Sequence, residues 1–336
     1  MAEFGRTPGI HVATSCPTSG RWDPRFDNAK PSKRQAFGEC GSGHPYHPLR
    51  EKQGVNYSGK QSVKPREGKL VDATTVNLFA EHVPEIQLPD APLVKVVAQV
   101  RYPRPLDFSD ETTFERIAQV LGSEYPVGRK IHASSLLITP GGMQEQPSTE
   151  VNWTYQSVSG DWQVTASGQF ISLETSSYTS RAEFCDRLRW AVEGITTVIH
   201  PPVYDRLGVR YINRLEGEEV LADLHNLVRP VARAGLVVPH EGIQVQHSLC
   251  DTVFIDGNSQ VQARWGWLPA GTGFDLTVPP PPAAHWLLDI DSFTGRGGSF
   301  DIDVLDRLAR DLSDRAYSLF RWIITDEFID RFGGKR

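Results

Sequence analysis

Asp289 and Asp291 stand two residues apart in the run Leu288-Asp289-Ile290-Asp291. On a β-strand that spacing sends both carboxylates to one face. Such a pair of hard oxygen donors can hold Mg²⁺ or Mn²⁺ and support nucleotidyl or phosphoester chemistry. No third carboxylate follows at diagnostic spacing, and no glycine-rich phosphate loop accompanies the pair. The basic counterparts are Arg101, Arg210 and Arg214, and Glu174 takes the matching acidic position in the first half of the chain. Where their strands are neighbours, these groups meet as cross-strand Arg–carboxylate pairs. Such pairs on a partly exposed sheet contribute less than about 1 kcal/mol each, and this plain ion-paired sheet is the first expectation. The functional expectation is that the same six residues line a polar groove that binds a charged ligand; a metal site is the third reading.

Other residues of the right chemical type lack partners in the sequence. Cys40, His44 and His47 have the types to hold zinc, with Cys16 as a distant fourth ligand, but no CxxC pair is present and Pro45 and Pro48 keep the two histidines off one helix face. The expectation there is an unstructured loop. His225 and His285 have no companion at ligand or triad spacing and read as structural histidines. Ser292 and Cys185 have no recognisable base beside them. GxSxG, HExxH, GxxxxGK[ST] and GxGxxG do not occur.

The elements that must position these side chains begin with Leu93–Tyr102. Val94, Val96, Ala98, Val100 and Tyr102 alternate with Lys95, Gln99 and Arg101, which predicts a strand with one buried face. Its triplet Val100-Arg101-Tyr102 returns as Val209-Arg210-Tyr211 in a second alternating run, Leu207–Leu215. After the first run, Ser109-Asp110 offers a helix N-cap, with an apolar stripe of Phe114, Ile117, Ala118 and Leu121 ending at Gly122. Ile131–Ile138 reads as a strand. Val151–Gln156 and Trp162–Ala166 form a hairpin, and Phe170–Thr175 is a further strand. Ser180 and Glu183 make a capping box that opens a helix with Phe184, Leu188, Val192 and Ile195 inward. The second half repeats the order: a helix over Glu218–Ala234 kinked by Pro230, a hairpin of Gln244–Ile255 with Val261–Trp267 through Asp256-Gly257-Asn258, a rigid loop at Pro279–Pro282, strand His285–Phe293, and helix Asp303–Ile324. Asp186-Arg187-Leu188 and Asp306-Arg307-Leu308 recur within the two closing helices. Shared triplets in one element order predict two copies of a βαβββα unit, 86–203 and 204–336, joined about an approximate two-fold. The fold expected is α+β, mostly antiparallel, with helices on one side.

Charge is divided along the chain. Residues 1–70 hold 12 Lys and Arg against 6 Asp and Glu, whereas the rest holds 23 basic and 35 acidic residues. An acidic body lacks the clustered positive charge that phosphate neutralisation requires, so nucleic acid is not expected as ligand. Gly, Pro, Ser, Lys and Arg dominate 1–85, which reads as a disordered basic tail apart from a short helix over Val71–Ala80. No apolar run is long enough for a membrane span and no secretory signal opens the chain. Four scattered cysteines argue for a reducing cytoplasm. Trp153, Tyr155, Trp162, Trp265, Trp267 and Trp286 are expected mostly in the core.

From Leu88 onward, the chain resembles a sporadically distributed, functionally uncharacterised bacterial family. The resemblance rests on the proline-led strand Pro92-Leu93-Val94-Lys95-Val96-Val97, on Leu288-Asp289-Ile290-Asp291, and on Phe320-Arg321-Trp322-Ile323-Ile324-Thr325-Asp326-Glu327. Two positions depart from the family pattern: an acidic residue is common where Lys95 lies, and a histidine near Asp314. The resemblance implies no reaction, cofactor or catalytic residue, and its patchy occurrence implies an accessory, mobile or defence-related locus. The expected function is therefore a non-catalytic binding or interaction protein, taking a charged small ligand or a protein partner at a groove between the halves. A metal-dependent enzyme using Asp289 and Asp291 is the alternative. No cofactor is expected, and association of identical copies is left open.

Overall fold

β1 (Leu93–Arg101) and β7 (Arg206–Leu215) lie side by side and antiparallel in the middle of the sheet, with Gln99 opposite Gly208. The computed structural model describes residues 78–79, 82–105, 110–139, 142–237, 242, 244–273 and 278–335. The expected disordered tail, apart from its last few residues, lies outside the described residues, as do Cys16, Cys40, His44, His47, the Ser109 cap and most of Val71–Ala80.

Among the described residues, nine strands form one antiparallel sheet. They are β1 and β7 with β2 (Val127–Thr139), β3 (Gly142–Gln156), β4 (Trp162–Ala166), β5 (Phe170–Thr175), β8 (Ser248–Asp256), β9 (Ser259–Leu268) and β10 (His285–Thr294). Their order is β2-β3-β4-β5-β1-β7-β10-β9-β8. From the central seam, β5, β4 and β3 therefore follow β1 outward as β10, β9 and β8 follow β7, and β2 extends one side only. A short second sheet pairs β6 (Val203–Tyr204) with β11 (Gly298–Ser299).

Helices cover one face. They are α1 (Asp110–Leu121), α2 (Arg181–Thr196) and α5 (Ile302–Ile323), with the short α3 (Glu218–Ala222), α4 (Leu224–Leu227) and α6 (Asp326–Arg331). Ser180 caps α2 through the Glu183 amide at 3.2 Å, as the capping box predicts. Asp301 does the same for α5 and Thr325 for α6. The apolar faces of β1, β5, β4 and β3 pack with α1 and α2 in one cluster. Those of β10 and β9 pack with α4, α6 and the end of α5 in another. Val209 is fully buried in the first of them. No described helix is long and apolar enough to cross a membrane.

Three local expectations change. A register shift between Leu93 and Lys95 places Val94 in a small apolar cluster on the uncovered face with Ile212, Leu268 and Leu287, while Leu93 turns to the helix side. A bulge that inserts one residue reverses the alternation. The helix over Glu218–Ala234 is broken into α3, α4 and a 3₁₀ helix at Pro230–Val237. Val228 instead takes extended backbone and forms a β-bridge with Ile324, and Pro230 lacks the N–H that a continuing helix would donate. The hairpin strand read as Gln244–Ile255 starts at Ser248. Leu78 and Phe79 already pack against the second cluster, ahead of Ile86 and Leu88.

Candidate functional site

The six residues singled out by type lie on the uncovered face. Alternation along β1, β5, β7 and β10 puts them there together, opposite the buried apolar positions. Arg210 stands directly opposite Asp291, yet its guanidinium reaches diagonally to Asp289, with Nε and Nη2 donating at 2.7 and 2.8 Å. Arg206 takes Asp291 at 2.7 Å and lies over the Phe293 ring at 4.2 Å. Asp289 is only 2% exposed and also faces Arg264 at 3.6 Å. Arg264 in turn donates to Asp251 at 2.9 Å. Across the seam, Lys95 meets Glu174 at 3.3 Å, and Gln163 donates to the same carboxylate at 2.9 Å. The result is a polar ladder running sideways over the strands.

The ladder has two ends of different character. Arg214 leaves it, donating to the Pro279 carbonyl at 2.9 Å and pairing with Glu216. It lines a shallow cleft of about 20 Å³ with His285 and the Pro279–Pro281 loop. His285 is buried, with no partner for Nδ1 among the described residues. Burial, reinforced by the nearby Arg214 charge, lowers its pKa. Arg101 sits opposite Arg206 and has no ion pair among the described residues. Burial works against ionisation of Asp251, but hydrogen bonds from Gln262 and Arg264 outweigh it and lower its pKa. Both aspartates proposed as metal ligands thus already face arginine donors. Among the described residues, no three His, Cys, Asp or Glu gather at metal-binding distance.

The helix face holds a different site. Where α2 and α5 part above β7, a cavity of about 90 Å³ opens. Tyr211, Asn213 and Ile290 form its sheet side, Tyr178 and Arg181 the α2 side, and Ala316, Tyr317 and Phe320 the α5 side. The roof is the strap from Glu85 to Pro92. Pro89 opens a hydrogen-bonded turn in it, where the Ala91 amide donates to the Leu88 carbonyl at 3.1 Å.

Glu85 fastens the strap. Its carboxylate accepts from the Tyr178 hydroxyl at 3.0 Å and from the Arg181 amide at 3.3 Å, at the N-terminus of α2. A carboxylate there completes an orphan amide and meets the positive end of the helix dipole. The Ile86 amide donates to the Tyr317 hydroxyl at 2.7 Å. Arg181 lies over the Tyr317 ring at 5.3 Å and is ion-paired with Asp314, which also meets His82 at 3.4 Å. Below, the rings of Tyr178 and Tyr211 meet edge to face, 5.8 Å apart. The Tyr211 hydroxyl makes hydrogen-bonding contact with Tyr178 and Ser313. Burial raises the pKa of both hydroxyls, and for Tyr178 the neighbouring Tyr211 and Glu85 raise it further. They remain neutral donors.

Sequence reasoning did not single out these cavity residues. Tyr211 was visible only as the closing member of a repeated triplet, and the α2 capping box marked the helix end without marking what docks on it. Tyr102, at the matching place in the first triplet, donates instead to the Ser167 carbonyl at 2.8 Å. Lys95 takes part in the ladder and Asp314 pairs with Arg181 beside the cavity. Trp153, Tyr155, Trp162, Trp265 and Trp286 are buried as expected and Trp267 is only half-buried, while among the described residues Trp190 and Trp322 are exposed. Comparison of the chain with protein-family models and with curated proteins gives no match in either.

Proposed function

We propose that this protein is a non-catalytic binding protein that receives a small polar ligand in the strap-covered cavity between its two halves. One observation carries the reading. The cavity gathers tyrosine hydroxyls and an asparagine from elements far apart in the chain around a space with room for several waters. These polar groups already have partners within the protein, so a ligand here would add to those bonds, using the acceptor and donor capacity that hydroxyls and amides keep beyond a first bond. The charges at its rim are already mutually compensated, through Glu85 with Arg181 and Arg181 with Asp314. The ligand favoured is therefore small, neutral and hydrogen-bonding, with a flat apolar part to lie against the tyrosine rings. Anything larger requires the strap to lift.

The ladder supports the non-catalytic part of the reading, because its carboxylates are engaged by arginines. The acidic body supports a ligand other than nucleic acid, and the free cysteines Cys185 and Cys250 fit a cytoplasmic setting. Duplication of one ancestral unit accounts for the matching order of strands on either side of the β1–β7 seam. The family resemblance favours an accessory bacterial role.

The test is a thermal-shift and native mass-spectrometry screen of the full-length chain against small phenols, amides and carboxylic acids. A hit should disappear in Ala316→Phe, which fills the cavity without removing a polar group. It should weaken in Tyr211→Phe. A wild-type protein that binds no member of the panel, or a hit that survives Ala316→Phe, overturns the reading.

A further inference from the structure

The two edges of the sheet are built differently. At the β2 edge, Arg129 and Lys130 are exposed, and such charges keep edge strands from pairing with other chains. The β8 edge has no such guard. Ser248–Asp256 contains no Lys, Arg or Pro. Its outward side chains on the ladder face include Leu249, Val253 and Ile255, exposed by 36, 49 and 73%. Its two carboxylates are already neutralised within the chain, Asp251 by Arg264 and Asp256 by Arg315. Among the described residues, no strand pairs with the outer side of β8.

We infer that β8 is a dimerisation edge that pairs antiparallel with β8 of a second copy. The strand is complementary to itself. A two-fold axis through Thr252 sets Leu249 of each copy opposite Ile255 of the other, so an apolar pair closes each end of the interface. It also sets Cys250 opposite Phe254 on the helix side, and Asp251 opposite Val253. No like charges face each other, and the only charges brought near are neutralised before contact. A strongly charged partner strand finds nothing on this edge to answer it, whereas an identical strand finds its own apolar ends. Antiparallel pairing continues the geometry of every other strand pair in the sheet. The closed two-fold leaves only the charged β2 edges outward, so assembly stops at two.

The interface is small. A nine-residue strand offers an edge of roughly 30 Å, and its area falls short of the roughly 800 Å² per partner of a standard interface. The dimer is therefore expected to dissociate with a Kd no tighter than about 1 µM.

Sedimentation equilibrium of the full-length chain across a concentration series bracketing that value tests this. The mass should rise from 37.4 kDa toward twice that figure. Val253→Lys/Ile255→Lys should remain monomeric throughout, with an unchanged melt at low concentration. Arg129→Ala at the opposite edge should leave the association unaffected. In a Cys250→Ser background, Thr252→Cys should cross-link to its own copy under mild oxidation, since directly opposed Cβ atoms lie about 4.5–5.5 Å apart. A wild type that is monomeric at every concentration overturns the inference, including one whose edge pairs only with a strand from another protein. So does a dimer that persists in the lysine variant.

Discussion

The two faces of the sheet satisfy their polar groups in opposite ways. On the uncovered face, the ladder is met sideways: Lys95 with Glu174, Arg210 with Asp289, Arg264 with Asp251, each pair between adjacent strands. Once the sheet forms, little else is needed. On the helix face, the polar groups around the cavity come from the strap, α2, β7 and α5, and they meet only when all four are in place. A ladder of this kind reinforces strand register. A cavity assembled from separate elements leaves a space, which is why the proposed ligand site lies there and not at the carboxylates.

The contrast can be broken first at the core. Val209 points to the helix face with no exposure, and Val209→Asp should abolish cooperative unfolding, because an unpaired buried charge costs several kcal/mol. Gln99, on the other face of the neighbouring strand, should tolerate Ala within about 0.5 kcal/mol. A soluble, cooperatively melting Val209→Asp protein would reverse the assignment of faces.

Next comes the ladder. Asp289→Ala removes the carboxylate that Arg210 and Arg264 share, and should cost about 2–3 kcal/mol in urea unfolding, discounted for the partial exposure of both arginines. Asp289→Leu combined with Arg210→Met should recover most of that. Equal stability of the single variant and the wild type would mean that the ladder contributes nothing.

The strap should respond locally. Glu85→Ala removes an acceptor from Tyr178 and from the α2 amide, and should cost about 1–2 kcal/mol. Proteolysis and hydrogen exchange should quicken around residues 82–92 before the global melt moves. If the two change together, the strap is part of the cooperative core and is no movable roof.

The smallest effect concerns pH. The folded pKa of His285 lies below its ordinary 6.5, so below that value the unfolded chain binds the extra proton first. Stability should therefore fall as pH drops from about 6.5, by at most about 1.4 kcal/mol per unit from this residue. The charged groups acting on it are Arg214 and Glu216. His285→Gln should flatten the slope, and an unchanged slope would assign it to other groups.

Much of the fold was legible because it depends on neighbours in sequence. The period-two runs around Val100 and Val209, the Ser180 capping box and the Gly257-Asn258 turn each carry their own local physics, and each lies where it was read. The faces of Arg210, Asp289 and Asp291 followed from alternation alone. What pairs with what did not. Arg210 stands opposite Asp291 and binds Asp289, a choice set by register and twist that no spacing reveals. A bulge turned Val94 to the wrong side for its alternation, and the helix read over Glu218–Ala234 broke at Asp223 and Val228, ahead of Pro230. The cavity was out of reach altogether: Glu85, Tyr178, Tyr211 and Tyr317 lie up to 232 residues apart, and only packing brought them around one space. Local propensity acts through adjacent residues and can be read along a line. A cavity is lined by side chains that are near in three dimensions and distant in sequence, so only the tertiary structure could assemble this one.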